Sequence, residues 1–271
     1  NADVLMEHFV TDYPTSRKQN QAYVEVAHYY FAQGNYPKAL EWFEKVDENN
    51  LSYKEQDQYN FQKGYSFFSS KNKKEATTYF NKVANSKEYG SQAKYYLGFM
   101  AYEGDDYKQA TKYFDEVSSE EKYKEKLSYY QADMNFKLGN FQKAIDLGTK
   151  AMTKSNEIEK SELNKIIGES YFNLKQYDKS IPYLALYKGK KGKWNNTDFY
   201  QLGYAYYMQK NYESAISQFN KIIAGKDSVA QNAYYHLGES YLNLDKKQQA
   251  LNAFKNASER DFDLAIQEDA S

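Results

Sequence analysis

The chain has 271 residues, with 36 lysines and arginines against 37 aspartates and glutamates, and it contains no cysteine. This near balance gives no global field to draw in nucleic acid or an anionic membrane, and the missing thiols exclude disulfides, thiolate catalysis and cysteine metal sites while leaving the redox compartment open. No apolar run approaches the roughly 18 residues that span a bilayer, so no direct membrane insertion is expected, and tyrosine, at 30 residues, is the compositional outlier. The chain opens at Asn1 without a basic stretch leading into an apolar one, and is expected to be a processed or trimmed piece of something longer. Three prolines, Pro14, Pro37 and Pro182, suit a helical chain with short connections.

Taken in chain order, residues 1–19 read as a lone second helix ending at Tyr13-Pro14. Seven similar segments follow without gaps, near 20–53, 57–90, 91–124, 125–158, 161–194, 196–229 and 231–264, and residues 265–271 read as the opening of another first helix. The segment starts, Asn20, Asp57, Ser91, Glu125, Ser161, Asn196 and Gln231, are spaced 37, 34, 34, 36, 35 and 35 residues apart. Such a period marks stacked supersecondary units rather than independent domains, and a single array over 1–271 is expected.

Each unit predicts a helix of about 13 residues, a tight turn such as Gln33-Gly34-Asn35 or Leu138-Gly139-Asn140, and a second helix with apolar residues at 3.6-residue spacing. The eighth residue is always small: Ala27, Gly64, Gly98, Ala132, Gly168, Gly203, Gly238. Glycine inside a helix costs about 1 kcal/mol relative to alanine, so its use at five of seven such positions implies two helices crossing too closely for a side chain. The twentieth residue is small as well, from Ala39 to Ala250, with Ser180 the one non-alanine. The twenty-fourth is a large ring in Phe43, Phe80, Phe114, Phe219 and Phe254, able to fill the space beside the small residues, and departs from that in Gly148 and Leu184. The fourth unit also carries Gln131 and Asn135 where most others are apolar, which predicts looser packing there and a bend.

At these offsets the residues resemble the tetratricopeptide repeat family, as in Phe199-Tyr200-Gln201-Leu202-Gly203 followed by Tyr206, Ala215 and Phe219, although the family's closing proline is missing from the complete units. The resemblance implies an all-α fold, a right-handed α-solenoid or superhelix of about seven helix-turn-helix repeats with partial repeats at both ends. It also implies that the first helices line a concave groove through positions 2, 5, 9, 12 and 13 of each unit. The groove residues so implied are Phe61, Tyr65, Tyr95, Phe99, Tyr102, Tyr129, Asp133, Lys165, Glu169, Tyr200, Tyr204, Tyr207, Tyr235 and Glu239. Rings on such a face offer large, stiff contact area, and tyrosine adds a hydroxyl, which suits gripping an extended segment of another protein. A purely structural use of the same rings, packing against neighbouring units, stays open, most of all at position 12. The polar middle around Asp133, Lys165 and Glu169 reads either as a charge-reading stretch or as a solvated face. Some relatives hold a C-terminal carboxylate with Lys at position 5 and Asn at position 9 of one repeat; here Lys165 is followed by Glu169, so that activity does not carry over.

Sharper chemistry finds little support. Residues 188–198, KGKKGKWNNTD, hold four lysines but no P-loop pattern, and a solvated, flexible connector is expected there. His8, His28 and His236 lie far apart in the repeat register, so no metal site is expected. Asp133 and Glu169 occupy equivalent positions on consecutive first helices, and a glycoside hydrolase pair built from them is the one enzymatic alternative. The chain is therefore expected to be a non-catalytic scaffold with no cofactor, binding a protein or peptide segment and no nucleic acid, with glycan or cell-wall polymer binding in the same groove as the alternative. Its Tyr-, Asn- and Lys-rich style is similar to large exported scaffolds of Gram-negative envelopes, which favours a periplasmic or envelope location over the cytoplasm.

Overall fold

The chain is described by a computed structural model, which covers residues 2–14, 18–222, 225–260 and 262–270. The sequence reading of the hairpins holds throughout. After helix α1 (Ala2–Asp12), each repeat is a first helix and a second helix: α2 (Gln19–Ala32) with α3 (Tyr36–Phe43), α4 (Tyr53–Ser69) with α5 (Lys73–Val83), α6 (Gly90–Glu103) with α7 (Tyr107–Val117), and α8 (Glu121–Lys137) with α9 (Phe141–Met152). The series continues with α10 (Glu157–Asn173) and α11 (Tyr177–Leu186), α12 (Asn196–Met208) and α13 (Tyr212–Phe219), and α14 (Ser228–Asn243) and α15 (Lys247–Ser258), then α16 (Leu264–Asp269). No β-strand occurs among the described residues. The helices gather into two compact units, Asn1–Lys124 and Glu125–Ser271. The first helices α4, α8 and α10 reach 17 residues, longer than the spacing suggested.

Every hairpin turns in the same way. The middle residue of its three-residue turn takes the left-handed conformation: Gly34, Lys71, Asp105, Gly139, Lys175, Lys210 and Asp245, with φ between 56° and 78°. In each, the N–H of the next residue reaches back to a carbonyl five residues earlier, as Asn35 does to Tyr30 and Asn211 to Tyr206, both at 2.9 Å, which satisfies carbonyls the first helix leaves open. That residue then caps the second helix: the side chains of Asn35, Asn72, Asp106 and Asn211 accept the N–H three positions on. Glycine is the cheap residue for such a turn, yet five of the seven use Lys or Asp. The hairpin is therefore set by the hydrogen bonds and caps around the turn as well as by the turn residue.

The small-to-large contact inferred from the repeat is the core of each hairpin. A Cβ placed on Gly98 would stand 2.5 Å from the Phe114 ring, on Gly203 2.7 Å from Phe219, and on Gly238 2.6 Å from Phe254. Gly168 meets Leu184 in the same way. Phe43, Phe80 and Phe114 are completely buried beside these positions. Second helices also pack on the first helices of following repeats, as α5 does on α6 and α13 on α14, so the core runs along each unit.

The fourth repeat closes differently from the expectation. The space a ring would occupy at Gly148 is filled from the next repeat by Ile167, 3.0 Å from a Cβ position there. Leu127, Ala132 and Met134 are fully buried, and buried Asn135 donates to the Gln131 carbonyl at 2.7 Å and accepts from the Asn140 side chain. The side chains there are well packed.

The first residue of a repeat has a role the sequence reading missed. Among the described residues it ties, in five of the repeats, the start of the first helix to the chain leaving the second. Asn20 exchanges two hydrogen bonds with the backbone of Asp47, Ser91 donates to Glu120, Glu125 pairs with Lys154 at 2.6 Å, and Ser161 accepts from the Lys188 N–H at 2.9 Å. Gln231, with no exposed surface, donates to the carbonyls of Ala257, Arg260 and Asp263 and accepts from the Asp263 N–H. These clamps fix where one hairpin ends.

Candidate functional site

In the unit Asn1–Lys124 the expected groove rings form a connected set on the first helices. Tyr65 on α4 is its hub, with ring centroids 5.8 Å from Phe31, 5.4 Å from Tyr36, 5.2 Å from Tyr96 and 6.5 Å from Phe61. Phe61 itself is buried, stacked on Tyr89 at 5.0 Å and tilted against Phe80, so it supports the face more than it offers surface. On α6, Tyr95 stacks on Tyr123, Phe99 meets Phe68, and Tyr102 meets Tyr107 edge-on. Burial raises the Tyr95 and Tyr96 hydroxyls above their ordinary pKa, so both stay protonated donors over the whole physiological range.

Beside this face lies a group that no repeat pattern announced. Lys63, at the seventh position where most units carry an aliphatic residue, is buried yet charged. Its amine lies 3.0 Å from the Tyr59 hydroxyl and 3.1 Å from Glu44, and it sits over the Tyr79 ring at 4.6 Å. Burial works against the charge, but hydrogen bonds to Tyr79, Tyr59 and Glu44 more than offset it and hold the amine above its usual pKa.

In the unit Glu125–Ser271 the hub is Tyr204 on α12. Its ring lies 5.8 Å from Phe172, 5.9 Å from Tyr177 and Tyr200, 6.0 Å from Tyr207 and 5.1 Å from His236. His236 sits inside this cluster, 5.0 Å from Tyr207 and 5.4 Å from Tyr235. Its Nδ1 is 2.8 Å from the Glu239 carboxylate, which also accepts the Tyr207 hydroxyl. Burial raises the Glu239 carboxyl, but these two hydrogen bonds outweigh it and leave the group below its usual range, so Glu239 is ionised at neutral pH. The His236 position was missed because a lone histidine in one repeat has no periodic signal.

The polar middle is an internally paired network. Lys165 lies 3.3 Å from Asp198 and 4.0 Å from Glu169, and over the Tyr187 ring at 4.9 Å. Asp133 is buried and paired with Lys137 at 2.9 Å. Tyr129 lines a cavity of about 250 Å³ with Lys126, Lys154 and Glu162. The two carboxylates weighed as a hydrolytic pair thus both have cationic neighbours. Burial raises the Glu169 carboxyl above its usual range, and the attraction of Lys165 offsets this only in part.

The sign of that shift gives a test. A carboxyl whose folded pKa lies above its unfolded one contributes stability fully below the unfolded pKa, near 4.3, and loses it as pH rises through the folded pKa. Glu169→Gln keeps a neutral group of the same shape there. In urea unfolding the variant is expected to be more stable than the parent at pH 7, with the difference gone at pH 4.

Among the described residues no group of three or more His, Asp or Glu side chains is placed to hold a metal ion, and no helix is long and apolar enough to cross a membrane.

Helical hairpins with glycine or alanine facing a ring, joined by clamped turns, form an all-helical repeat fold. Comparison with known families agrees: residues 21–53 match the tetratricopeptide repeat model, and residues 185–257 match the model for anaphase-promoting complex, cyclosome, subunit 3. No curated protein sequence matches the chain significantly. Among solved structures, YrrB, described as a tetratricopeptide protein with an unusual peptide-binding site, is 17% identical, with 70% of this chain and 96% of that one aligned at a TM-score of 0.58. A tetratricopeptide repeat protein from Parabacteroides merdae aligns over 92% of this chain and 96% of its own, at 13% identity and a TM-score of 0.52. MamA from strain AMB-1 aligns over 64% of this chain and 92% of its own, at 17% identity and a TM-score of 0.55.

Proposed function

We propose that the chain is a non-catalytic interaction scaffold whose first helices, in each of the two units, present a tyrosine-rich face to a segment of another protein. The observation that carries this reading is the ring cluster centred on Tyr204: six aromatic or imidazole rings with centroids within about 6 Å of their neighbours, next to an ionised Glu239 that no lysine or arginine pairs among the described residues. Rings already locked against one another lose little conformational freedom on binding, and hydroxyls along their edges can take the backbone groups of an extended segment. The peptide-binding site named for YrrB, a protein of the same fold, supports the same use of this architecture.

The paired state of Asp133 and Glu169 speaks against hydrolysis, because both carboxylates are engaged with lysines on their own or neighbouring turns. We place the protein in the envelope of a Gram-negative cell as part of a larger exported scaffold. That placement rests on its Tyr-, Asn- and Lys-rich style, and fractionation of the full-length protein tests it.

A panel of extended peptides and cell-wall glycans, titrated by calorimetry, decides what the face takes. Peptides are expected to bind and glycans not to. Tyr204→Ala is expected to weaken the bound peptide by about 10-fold or more, as removal of a central interface ring does. Unchanged affinity in this variant, or tighter binding of glycans, would move the function elsewhere.

A further inference from the structure

The connector between α11 and α12, expected to be a flexible basic loop, is a built element. It leaves α11 through Tyr187, a buried ring, and the Lys188 N–H donates to Ser161. Residues 190 and 193 then pair across a tight turn, with Gly189, Lys191 and Gly192 all in the left-handed region, at φ 85°, 53° and 76°. Gly189 has no alternative: a Cβ there would stand 2.3 Å from the Lys193 carbonyl. The return strand is pinned by Trp194, whose indole N–H donates to the Tyr187 carbonyl at 2.6 Å while the ring packs against Phe199 at 5.2 Å.

This fixed knuckle holds Lys190, Lys191 and Lys193 in solvent, and none of the three pairs with a carboxylate among the described residues. Three like charges on one ordered turn make a local positive patch with no partner of its own among those residues. Beside it, between the knuckle and the start of α10, opens a cleft of about 380 Å³ lined on the knuckle side by Gly189, Lys191 and Gly192 and on the α10 side by Ile158, Glu162 and Glu157, the last paired with Lys188 at 3.3 Å. Ile158 is 78% exposed, an aliphatic group standing free at the mouth of a basic turn.

We propose that this knuckle and cleft form a second docking site, separate from the tyrosine face, for an acidic protein segment that carries an aliphatic residue. The segment's carboxylates meet Lys190, Lys191 and Lys193, and its aliphatic side chain covers Ile158. A nucleic acid fits less well, because its evenly spaced phosphates would run from the lysines onto Glu157, Glu159 and Glu162 of α10, and nucleic-acid sites spread basic residues over several elements. An anionic bilayer meets the same carboxylates. A short segment avoids them by placing its charges on one side of its aliphatic residue only.

The test uses the whole chain and a short fluorescein-labelled peptide in which a run of glutamates precedes one leucine. Anisotropy is expected to show binding that weakens with added salt. The triple variant Lys190→Glu, Lys191→Glu, Lys193→Glu should lower affinity by about 10-fold or more, since close charge pairs across an interface carry that much. Ile158→Ser should lower it less, and Tyr204→Ala should leave it unchanged, which keeps this site distinct from the tyrosine face. Circular dichroism of the triple variant should match the parent, because all three side chains lie in solvent. In a Trp42→Phe background, peptide addition should shift the emission of Trp194. No binding of the peptide, equal affinity in the triple variant, or tighter binding of a single-stranded oligonucleotide or of phosphatidylserine vesicles would each overturn the proposal.

Discussion

Gly98→Val is expected to cost about 3 kcal/mol of stability, near the top of the range for forcing extra carbon into a filled core. The Cβ alone would stand 2.5 Å from Phe114 Cε1, with Cδ1 at 2.6 Å, and Phe114 has no exposed surface through which to retreat. The gain in helix propensity on losing a glycine, a few tenths of a kcal/mol for valine, is too small to compensate. The partner change tests the cause. Phe114→Ala on its own is expected to cost about 3 to 5 kcal/mol by opening a cavity. In the double variant the valine fills part of that cavity, so the two losses should fall well short of their sum in a double-mutant cycle. Gly104→Ala is the control: Gly104 ends the same helix, and a Cβ there meets only carbonyls at 3.4 Å and beyond, so urea unfolding should show little change. Additive losses at Gly98 and Phe114 would mean that the two positions do not face each other.

Gln231 carries the second large effect. Its side chain has no exposed surface, and its amide donates to the carbonyls of Ala257, Arg260 and Asp263 and accepts the Asp263 N–H at 2.8 Å, bonds that are part-buried at Arg260 and Asp263. Gln231→Leu keeps the volume and removes every one of these bonds, leaving the backbone partners unsatisfied at about 1 to 3 kcal/mol each where water cannot reach them. An overall loss of about 3 kcal/mol is expected, since water entering near the chain's end relieves part of the deficit. Gln231→Glu should be worse than leucine at neutral pH, because it turns a donor toward three carbonyls into a carboxylate. Hydrogen exchange should place the damage in α15 and α16, with the α12–α13 hairpin protected as before. Equal loosening of all hairpins would show that the clamp acts on the unit as a whole.

The parts of this fold that could be read beforehand are those the chain states seven times. Glycine or alanine at the eighth position and a ring at the twenty-fourth are a contact described in composition, and Gly98 against Phe114 or Gly203 against Phe219 is that contact in space. The recurrence of Tyr65, Tyr95, Tyr200 and Tyr204 at fixed offsets on first helices was legible for the same reason. What escaped is what occurs once, or what depends on distant chain. Lys63 breaks an aliphatic position, and nothing local says that Tyr59, Tyr79 and Glu44 converge on it. The filling of the Gly148 gap by Ile167 is set by the following repeat. The left-handed turns at Lys71, Asp105, Lys175, Lys210 and Asp245 carry no glycine to announce them, because hydrogen bonds and caps from flanking residues hold them. The 188–198 connector read as solvated and flexible because lysines and glycines dominate its start; its order there comes from Trp194, a single residue whose partner Tyr187 belongs to the preceding hairpin.

The proposed binding face lies in the same repeat register. Within Glu125–Ser271, Tyr200, Tyr204 and Tyr207 lie on α12 and Tyr235, His236 and Glu239 on α14, both first helices, while α13 and α15 supply the rings and alanines behind them. Hydrogen exchange measured by mass spectrometry, with and without a peptide selected for binding to the whole chain, separates the two faces. Slowed exchange in α12 and α14 with α13 and α15 unaffected is the predicted result. Slowing confined to α13 and α15, with α12 and α14 unaltered, would contradict the account.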